Sequence, residues 1–130
     1  MVSIMRLIGT IITVTVLLLA LGFWSNYSLQ ASSHELAKHI DIISRDVRNG
    51  QWQAAHEHNR VLQQTWDKKA KWWPVFLDHQ EMDNIEFSLA RVKEYVASKN
   101  KPLSLGQLSE LKLMVKHIPE KEALNIKNIL

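Results

Sequence analysis

The sequence contains no cysteine, only three prolines and four glycines, and no charged side chain between Arg6 and Glu35. The absence of cysteine excludes disulfide bonds, thiolate metal sites and cysteine nucleophiles, so the fold must be stabilised by packing. A phosphate-binding glycine loop, the G-x-S-x-G turn of hydrolases and the HExxH zinc motif are also missing. The enzyme classes that depend on these motifs therefore lack the residues they require.

The longest uncharged apolar run extends from Leu7 to Trp24. Its length is close to the roughly 20 residues that a helix needs to cross a bilayer core of about 30 Å. It exceeds the roughly 7 to 15 residues of a signal-peptide core, and the best cleavage position, after Ala31, has leucine where a small residue is preferred. The sequence favours a retained membrane anchor, residues 1–28, with Leu7 and Trp24 at its ends, over a cleaved signal peptide.

The distribution of positive charge predicts how the anchor is oriented. The N-terminal amine and Arg6 precede the apolar run, whereas no lysine or arginine follows it before Lys38. The positive-inside rule then predicts a cytoplasmic N-terminus and an extracytoplasmic domain, residues 29–130, at the cell membrane. The net charge of +3 includes Arg6, and the remainder is nearly balanced, so the composition does not indicate a nucleic-acid partner.

Residues 29–130 are predicted to form about five helices, because apolar residues recur at intervals of three and four without strand-like alternation. Ser32 and Glu35 have the spacing of a capping box for the first of them, and Asn49-Gly50 is typical of the turn that ends it. The predicted core stripes are Leu36, Ile40, Ile43 and Val47; Trp52, Ala55, Leu62, Trp66 and Trp73, interrupted by Asn59; Met82, Ile85, Leu89, Val92 and Val96; and Leu108, Leu111, Val115 and Ile118.

Two later helix starts are predicted from the same capping pattern. The paired positions are Asp78 with Glu81 and Ser104 with Gln107. Leu77 and Met82 flank the first pair as a hydrophobic staple. Pro119 fits the first position of a short terminal helix. The predicted fold class is therefore all-α, with a transmembrane helix followed by an antiparallel helical bundle or a short α-solenoid.

The stretch DHQEMDNIE, residues 78–86, concentrates acidic and imidazole side chains. His79, Asp83 and Glu86 are spaced at i, i+4 and i+7, so one helix face could bind a divalent metal if a histidine of another helix supplied a fourth ligand. The structural interpretation explains most of these charges, because acids stabilise the N-terminal end of a helix. No cofactor is predicted.

The stretch KKAKWW, residues 68–73, mixes cations with aromatic rings and could contact lipid headgroups or single-stranded nucleic acid. The favoured interpretation is simpler. The lysines would complement a helix C-terminus while the tryptophans pack inward.

Phe87 and Tyr95 depart from the apolar stripe of their helix, by about 200° and about 80° from Ile85 on a helical wheel. Either this helix is central and covered on both sides, which we favour, or Phe87 lies on an exposed apolar patch that a partner or a second copy of the chain covers. Phe87 and Tyr95 are therefore the candidate interaction surface.

Several segments together resemble the Firmicutes family described only as domain of unknown function 4363. They are NGQW at 49–52, Trp66, Lys71-Trp72-Trp73, FLDHQEMDNIEFSLARVKEY at 76–95 and HIPEKEALNIKNIL at 117–130. The resemblance covers nearly the whole chain, including the single membrane segment. It implies a Gram-positive source, and it implies no activity, cofactor or catalytic residue.

The sequence thus predicts a membrane-anchored, non-catalytic interaction or scaffold domain for another cell-envelope protein. The same surface could instead support a homo-oligomer. The alternative is a ligand- or metal-binding sensor that uses the face of His79, Asp83 and Glu86.

Overall fold

The computed structural model describes the backbone of residues 2–129 and the side chains of residues 2–120. Within that range the regular structure is entirely helical, as predicted. The elements are α1 (Val2–Arg48), α2 (Trp52–Ala70), a short 3₁₀ helix (Trp73–Val75), α3 (His79–Ala97) and α4 (Lys101–Ile129). The prediction of about five helices after the anchor is matched only in part, because two predicted helix boundaries, at Ser32 and at Pro119, lie inside longer helices.

The first of these boundaries is the capping box at Ser32 and Glu35. α1 continues through both residues without interruption, and Ser32 and Ser33 are buried in its interior. No glycine or proline occurs between Gly22 and Arg48, so the chain contains nothing that would end a helix there. The apolar stripe also starts earlier than predicted, at the buried side chain of Leu29. One helix therefore joins the predicted anchor directly to the core.

The second boundary is Pro119, which lies inside α4 rather than at the start of a terminal helix. Proline has no N–H, so the carbonyl of Val115, four residues earlier, lacks its usual helical donor. The hydroxyl of Ser33 on α1 donates to that carbonyl at 2.7 Å, in a buried position. A contact between α1 and α4 thus compensates for the proline and lets α4 continue.

α4 also begins earlier than the predicted cap. Its first residue is Lys101, and the side-chain oxygen of Asn100 accepts a hydrogen bond from the Leu103 N–H at 3.1 Å. Asn100 is thus the residue that caps this helix. The predicted pair Ser104 and Gln107 is wrong as a capping box, since both are buried within the helix.

α1 and α3 end in the same backbone motif. At the end of α1, Gly50 has φ of +67° and its N–H donates to the carbonyl of Val47, which confirms the turn predicted there. At the end of α3, Lys99 adopts the equivalent left-handed conformation with φ of +55° and donates to Val96. These are Schellman motifs, in which glycine is the usual residue.

The helices pack in a ring in which each contacts two neighbours: α1 packs on α2 and α4, and α3 packs on the same two helices. This is the neighbour pattern of an up-down four-helix bundle. The predicted stripes are confirmed as the core, except that Trp52 is only partly buried. Buried apolar residues are Leu29, Leu36, Ile40, Ile43, Val47, Ala55, Leu62, Trp66, Trp73, Leu77, Met82, Ile85, Leu89, Val92, Val96, Leu108, Leu111, Val115 and Ile118.

The N-terminal half of α1 lies outside this core. An apolar window of this helix, with mean hydropathy 2.3, has no buried residue. Among the described residues, α1 is the one helix that is long and apolar enough to cross a membrane. Leu7 and Trp24, the predicted ends of the anchor, are both exposed.

Candidate functional site

The start of α3 is where the sequence concentrates acidic groups. Asp78 precedes the helix in an extended conformation, and its carboxylate accepts the Glu81 N–H at 2.8 Å. Leu77 and Met82 are both buried on either side of this cap, as a hydrophobic staple requires. The capping role of Asp78 is confirmed, and it satisfies one of the N–H groups that a helix start leaves unpaired.

The proposed metal ligands lie just beyond this cap. His79 and Asp83 are exposed, whereas the carboxylate of Glu86 accepts the indole N–H of the buried Trp66 at 3.4 Å. No cluster of three or more His, Asp or Glu side chains that could hold a metal ion occurs among the described residues. Glu86 is therefore engaged by Trp66 on α2. The side chains of His79, Asp83 and Glu86 do not converge as the ligands of a metal site.

Gln107, which does not cap α4, instead connects α4 to α3. Its amide nitrogen donates to the Ser88 hydroxyl at 2.7 Å, and its amide oxygen accepts from the Arg91 guanidinium at 3.3 Å. Ser88 and Gln107 are buried. Because both ends of the amide are paired, this contact fixes the register of the two helices.

The candidate interaction residues differ in burial. Phe87 is 58% exposed, so the favoured expectation that neighbouring helices cover it is wrong. α3 does pack on both α2 and α4, but these helices flank its apolar stripe and leave the opposite side open. Tyr95 is half-buried. Phe87 is thus an apolar ring on the outer face of α3.

Two side-chain contacts between α1 and α2 were not predicted. His58 Nδ1 lies 2.5 Å from the buried carboxylate of Asp46. The Lys69 ammonium donates to Glu35 at 2.8 Å. That hydrogen bond lowers the pKa of the Glu35 carboxyl below its usual value, although partial burial acts in the opposite direction. Both pairs are centred on residue 52, the first residue of α2, so the Asn49-Gly50 turn just before it is the sequence signal that could have revealed them.

A groove between α2 and α3 is the most site-like feature that the sequence did not reveal. It encloses about 330 Å³ and is lined by His56, Asn59, Arg60, Gln63 and Lys93. Asn59 is only 7% exposed, and its side-chain oxygen has no hydrogen-bond partner among the described residues. Arg60 pairs with Glu57 at 3.3 Å. The groove thus combines cationic groups with a buried amide whose hydrogen-bonding capacity is not filled.

Comparison with known proteins gives one match. A family model described as domain of unknown function, DUF4363, matches residues 23–129. No curated protein and no solved structure matches the chain.

Proposed function

The chain belongs to the DUF4363 family, and we propose that it is a single-pass membrane protein whose helical domain is a non-catalytic binding platform for another cell-envelope protein. In this proposal the N-terminus is cytoplasmic and residues 29–130 are extracytoplasmic, because Arg6, the cationic side chain nearest to the apolar run, precedes it. The platform carries no chemistry of its own. Its role is to hold a binding surface at a fixed position above the membrane.

The continuity of α1 is the observation that supports this proposal most directly. The exposed apolar segment and the core stripe from Leu29 to Val47 belong to one helix. A flexible linker would let the domain move independently of its anchor. Here the backbone hydrogen bonds of a single helix connect them, so the domain is held at a defined height and orientation. Such an arrangement suits a protein that must present a surface to a neighbour in the same membrane.

Phe87 is the surface residue that we assign to the partner. Its ring is exposed on the side of α3 away from the core, among the exposed side chains of Asp83, Arg91 and Glu94. An apolar ring within a polar rim is the usual composition of a binding hot spot. Because the ring contributes little to the core, replacing it separates binding from folding.

Topology is the first test. A reporter that is active only outside the cytoplasm, fused after Leu130, should be active, and Arg6→Glu should reduce the fraction of chains in that orientation. Activity of a cytoplasmic reporter in its place would contradict the assigned orientation.

Association is the second test, with the full-length chain in solubilised membranes as bait. Phe87→Ala should abolish recovery of the partner and leave the unfolding midpoint nearly unchanged. Leu113→Ala is the matched control, because Leu113 is an equally exposed apolar residue on α4, and it should bind normally. Recovery of the same partner by Phe87→Ala would remove Phe87 from the binding surface.

A second candidate function, the binding of a small anionic ligand, is favoured by the groove between α2 and α3. Arg60 and Lys93 could bind a phosphate or carboxylate group, while the unpaired side-chain oxygen of Asn59 could accept a hydrogen bond from a donor group of the ligand. Titration with inorganic phosphate should raise the melting temperature of the protein, as expected for a ligand that binds the folded state. Lys93→Gln should weaken this effect. Equal shifts in the two proteins would argue against the groove as the site.

A further inference from the structure

The segment from Lys71 to Phe76 joins α2 to α3, and we call it the aromatic corner. Trp73 is buried and meets the ring of Trp66 edge-on, with centroids 5.4 Å apart. This contact anchors the corner in the core. The tryptophan pair therefore gives the rest of the segment a fixed position, even though it includes only one turn of 3₁₀ helix.

The other apolar side chains of the aromatic corner are open to solvent. Trp72 is 37% exposed and Val75 is 82% exposed, and Pro74 between them is exposed as well. The expectation that both tryptophans pack inward thus holds for Trp73 but not for Trp72. Phe76 supports Trp72 from the protein side, with ring centroids 5.8 Å apart. Unlike the isolated Phe87, these residues form a contiguous apolar surface.

The pairing of α1 with α2 defines the height of the aromatic corner along α1. Asp46 on α1 contacts His58 on α2. Glu35, eleven residues before Asp46, contacts Lys69, which lies eleven residues after His58. The two helices are therefore antiparallel in constant register. Continuing that register by three to six residues brings the corner level with about residues 29 to 32 of α1. This is the end of the domain that is nearest to the apolar segment.

A bilayer around the apolar segment would reach almost to the same level. The run from Leu7 to Trp24 spans about 27 Å as a helix, close to the roughly 30 Å of a hydrocarbon core. The headgroup layer adds about 5 to 7 Å on each side, which corresponds to about four residues beyond Trp24. Its outer surface would thus lie near residue 28 of α1, in contact with the aromatic corner.

The charges around the corner complement an anionic surface. Lys68 and Lys71 are exposed and have no ion-pair partner among the described residues, whereas the neighbouring Lys69 is paired with Glu35. The nearest acid after the corner, Asp78, is occupied by the N-terminus of α3. Cations beside exposed tryptophan are the combination that membrane interfaces favour.

We propose that the aromatic corner is a lipid-binding site, in which Trp72 and Val75 enter the headgroup layer and Lys68 and Lys71 bind the phosphates of anionic phospholipids. The site rests on the single-pass anchor proposed above and adds a second point of membrane contact. With two contacts, α1 and the corner, the membrane restricts the tilt of the domain relative to its plane as well as the height of the domain above it.

The test uses the absence of cysteine, because each single-cysteine variant of the full-length chain carries one label. An environment-sensitive fluorophore is placed at Val75→Cys, at Leu103→Cys in the exposed first turn of α4, and at Leu18→Cys within the apolar run. Each protein is reconstituted into phosphatidylcholine vesicles with and without phosphatidylglycerol. Lipids that carry a nitroxide at a shallow or a deep position then quench the probes that lie at that depth.

We expect the probe at position 75 to be quenched by the shallow nitroxide severalfold more than the probe at position 103, which is at the far end of the domain. Phosphatidylglycerol should increase that quenching, and Lys68→Glu with Lys71→Glu should remove the increase. Equal quenching at 75 and 103 would overturn the site, and equal quenching in both vesicle types would overturn the assignment to anionic lipid. Absence of deep quenching at position 18 would instead overturn the anchor itself.

Discussion

The hydrogen bond from Ser33 to Val115 provides a quantitative test of why α4 continues through Pro119. In wild-type protein the Ser33 hydroxyl is the replacement donor for a carbonyl that proline leaves unpaired. Ser33→Ala should therefore leave a buried carbonyl without a partner, at a cost of about 1 to 3 kcal/mol in the free energy of unfolding. The cost should fall below about 1 kcal/mol in a Pro119→Ala background, because alanine restores the N–H at that position.

A double-mutant cycle measures this dependence directly, since it isolates the coupling between the two positions from their separate effects. Urea unfolding of the full-length chain in detergent micelles, followed by the fluorescence of the buried Trp66 and Trp73, gives the four free energies. Ser44→Ala is the control, because its hydroxyl bonds to the Ile40 carbonyl of its own helix, and it should cost less than about 0.5 kcal/mol. An equal cost of Ser33→Ala in both backgrounds would refute the compensation argument.

Four further results are expected from unfolding experiments on the full-length chain. Asp78→Ala should cost about 0.5 to 2 kcal/mol and Asp78→Asn should recover most of it; failure of asparagine to recover stability would contradict the capping role. Asn100→Ala should cost about 1 kcal/mol in the free energy of unfolding. Ser104→Ala should be neutral or stabilising, because it removes a buried hydroxyl that has no partner among the described residues. A larger loss of stability from Ser104→Ala than from Asn100→Ala would instead support Ser104 as the cap. Lys99→Gly should stabilise by about 1 kcal/mol, since its φ of +55° is strained for a residue with a Cβ, and a loss of stability would argue against strain. Glu35→Gln should lower stability by less than about 1 kcal/mol at neutral pH. Because the ion pair with Lys69 depresses the pKa of Glu35 in the folded state, the stability difference between wild type and variant should vanish as the pH falls below about 4. A difference that stays constant with pH would exclude the Glu35–Lys69 pair as its cause.

The core could be predicted from the sequence because helical periodicity depends only on local spacing. In the four expected stripes, from Leu36 to Val47 through Leu108 to Ile118, every apolar residue is buried except Trp52, which is partly buried. The Asp78 cap was also predictable, since the cap and its N–H partner are three residues apart. These features require no knowledge of what packs against the helix.

Helix boundaries were less predictable where a local pattern competes with tertiary contacts. Serine followed three residues later by Glu or Gln also occurs inside helices. Ser32 and Ser104 therefore match the sequence pattern of a helix cap although both are buried in helix interiors. Pro119 ends a helix by local rules, and the residue that permits continuation is Ser33, which is 82 positions in sequence from the Val115 carbonyl to which it donates. The groove beside Asn59 likewise forms only when α2 and α3 meet.

The uninterrupted course of α1 has a mechanical consequence. Its 47 residues form a rod of about 70 Å, and the turn after Arg48 lies about 36 Å beyond Trp24 along that rod. If the proposed membrane segment tilts by about 10°, a small change within the range observed for transmembrane helices, the far turn is displaced sideways by about 6 Å. The rod would therefore act as a lever. A change in bilayer thickness, or in the position of a neighbouring membrane helix, would tilt α1 and move the turns farthest from the membrane sideways.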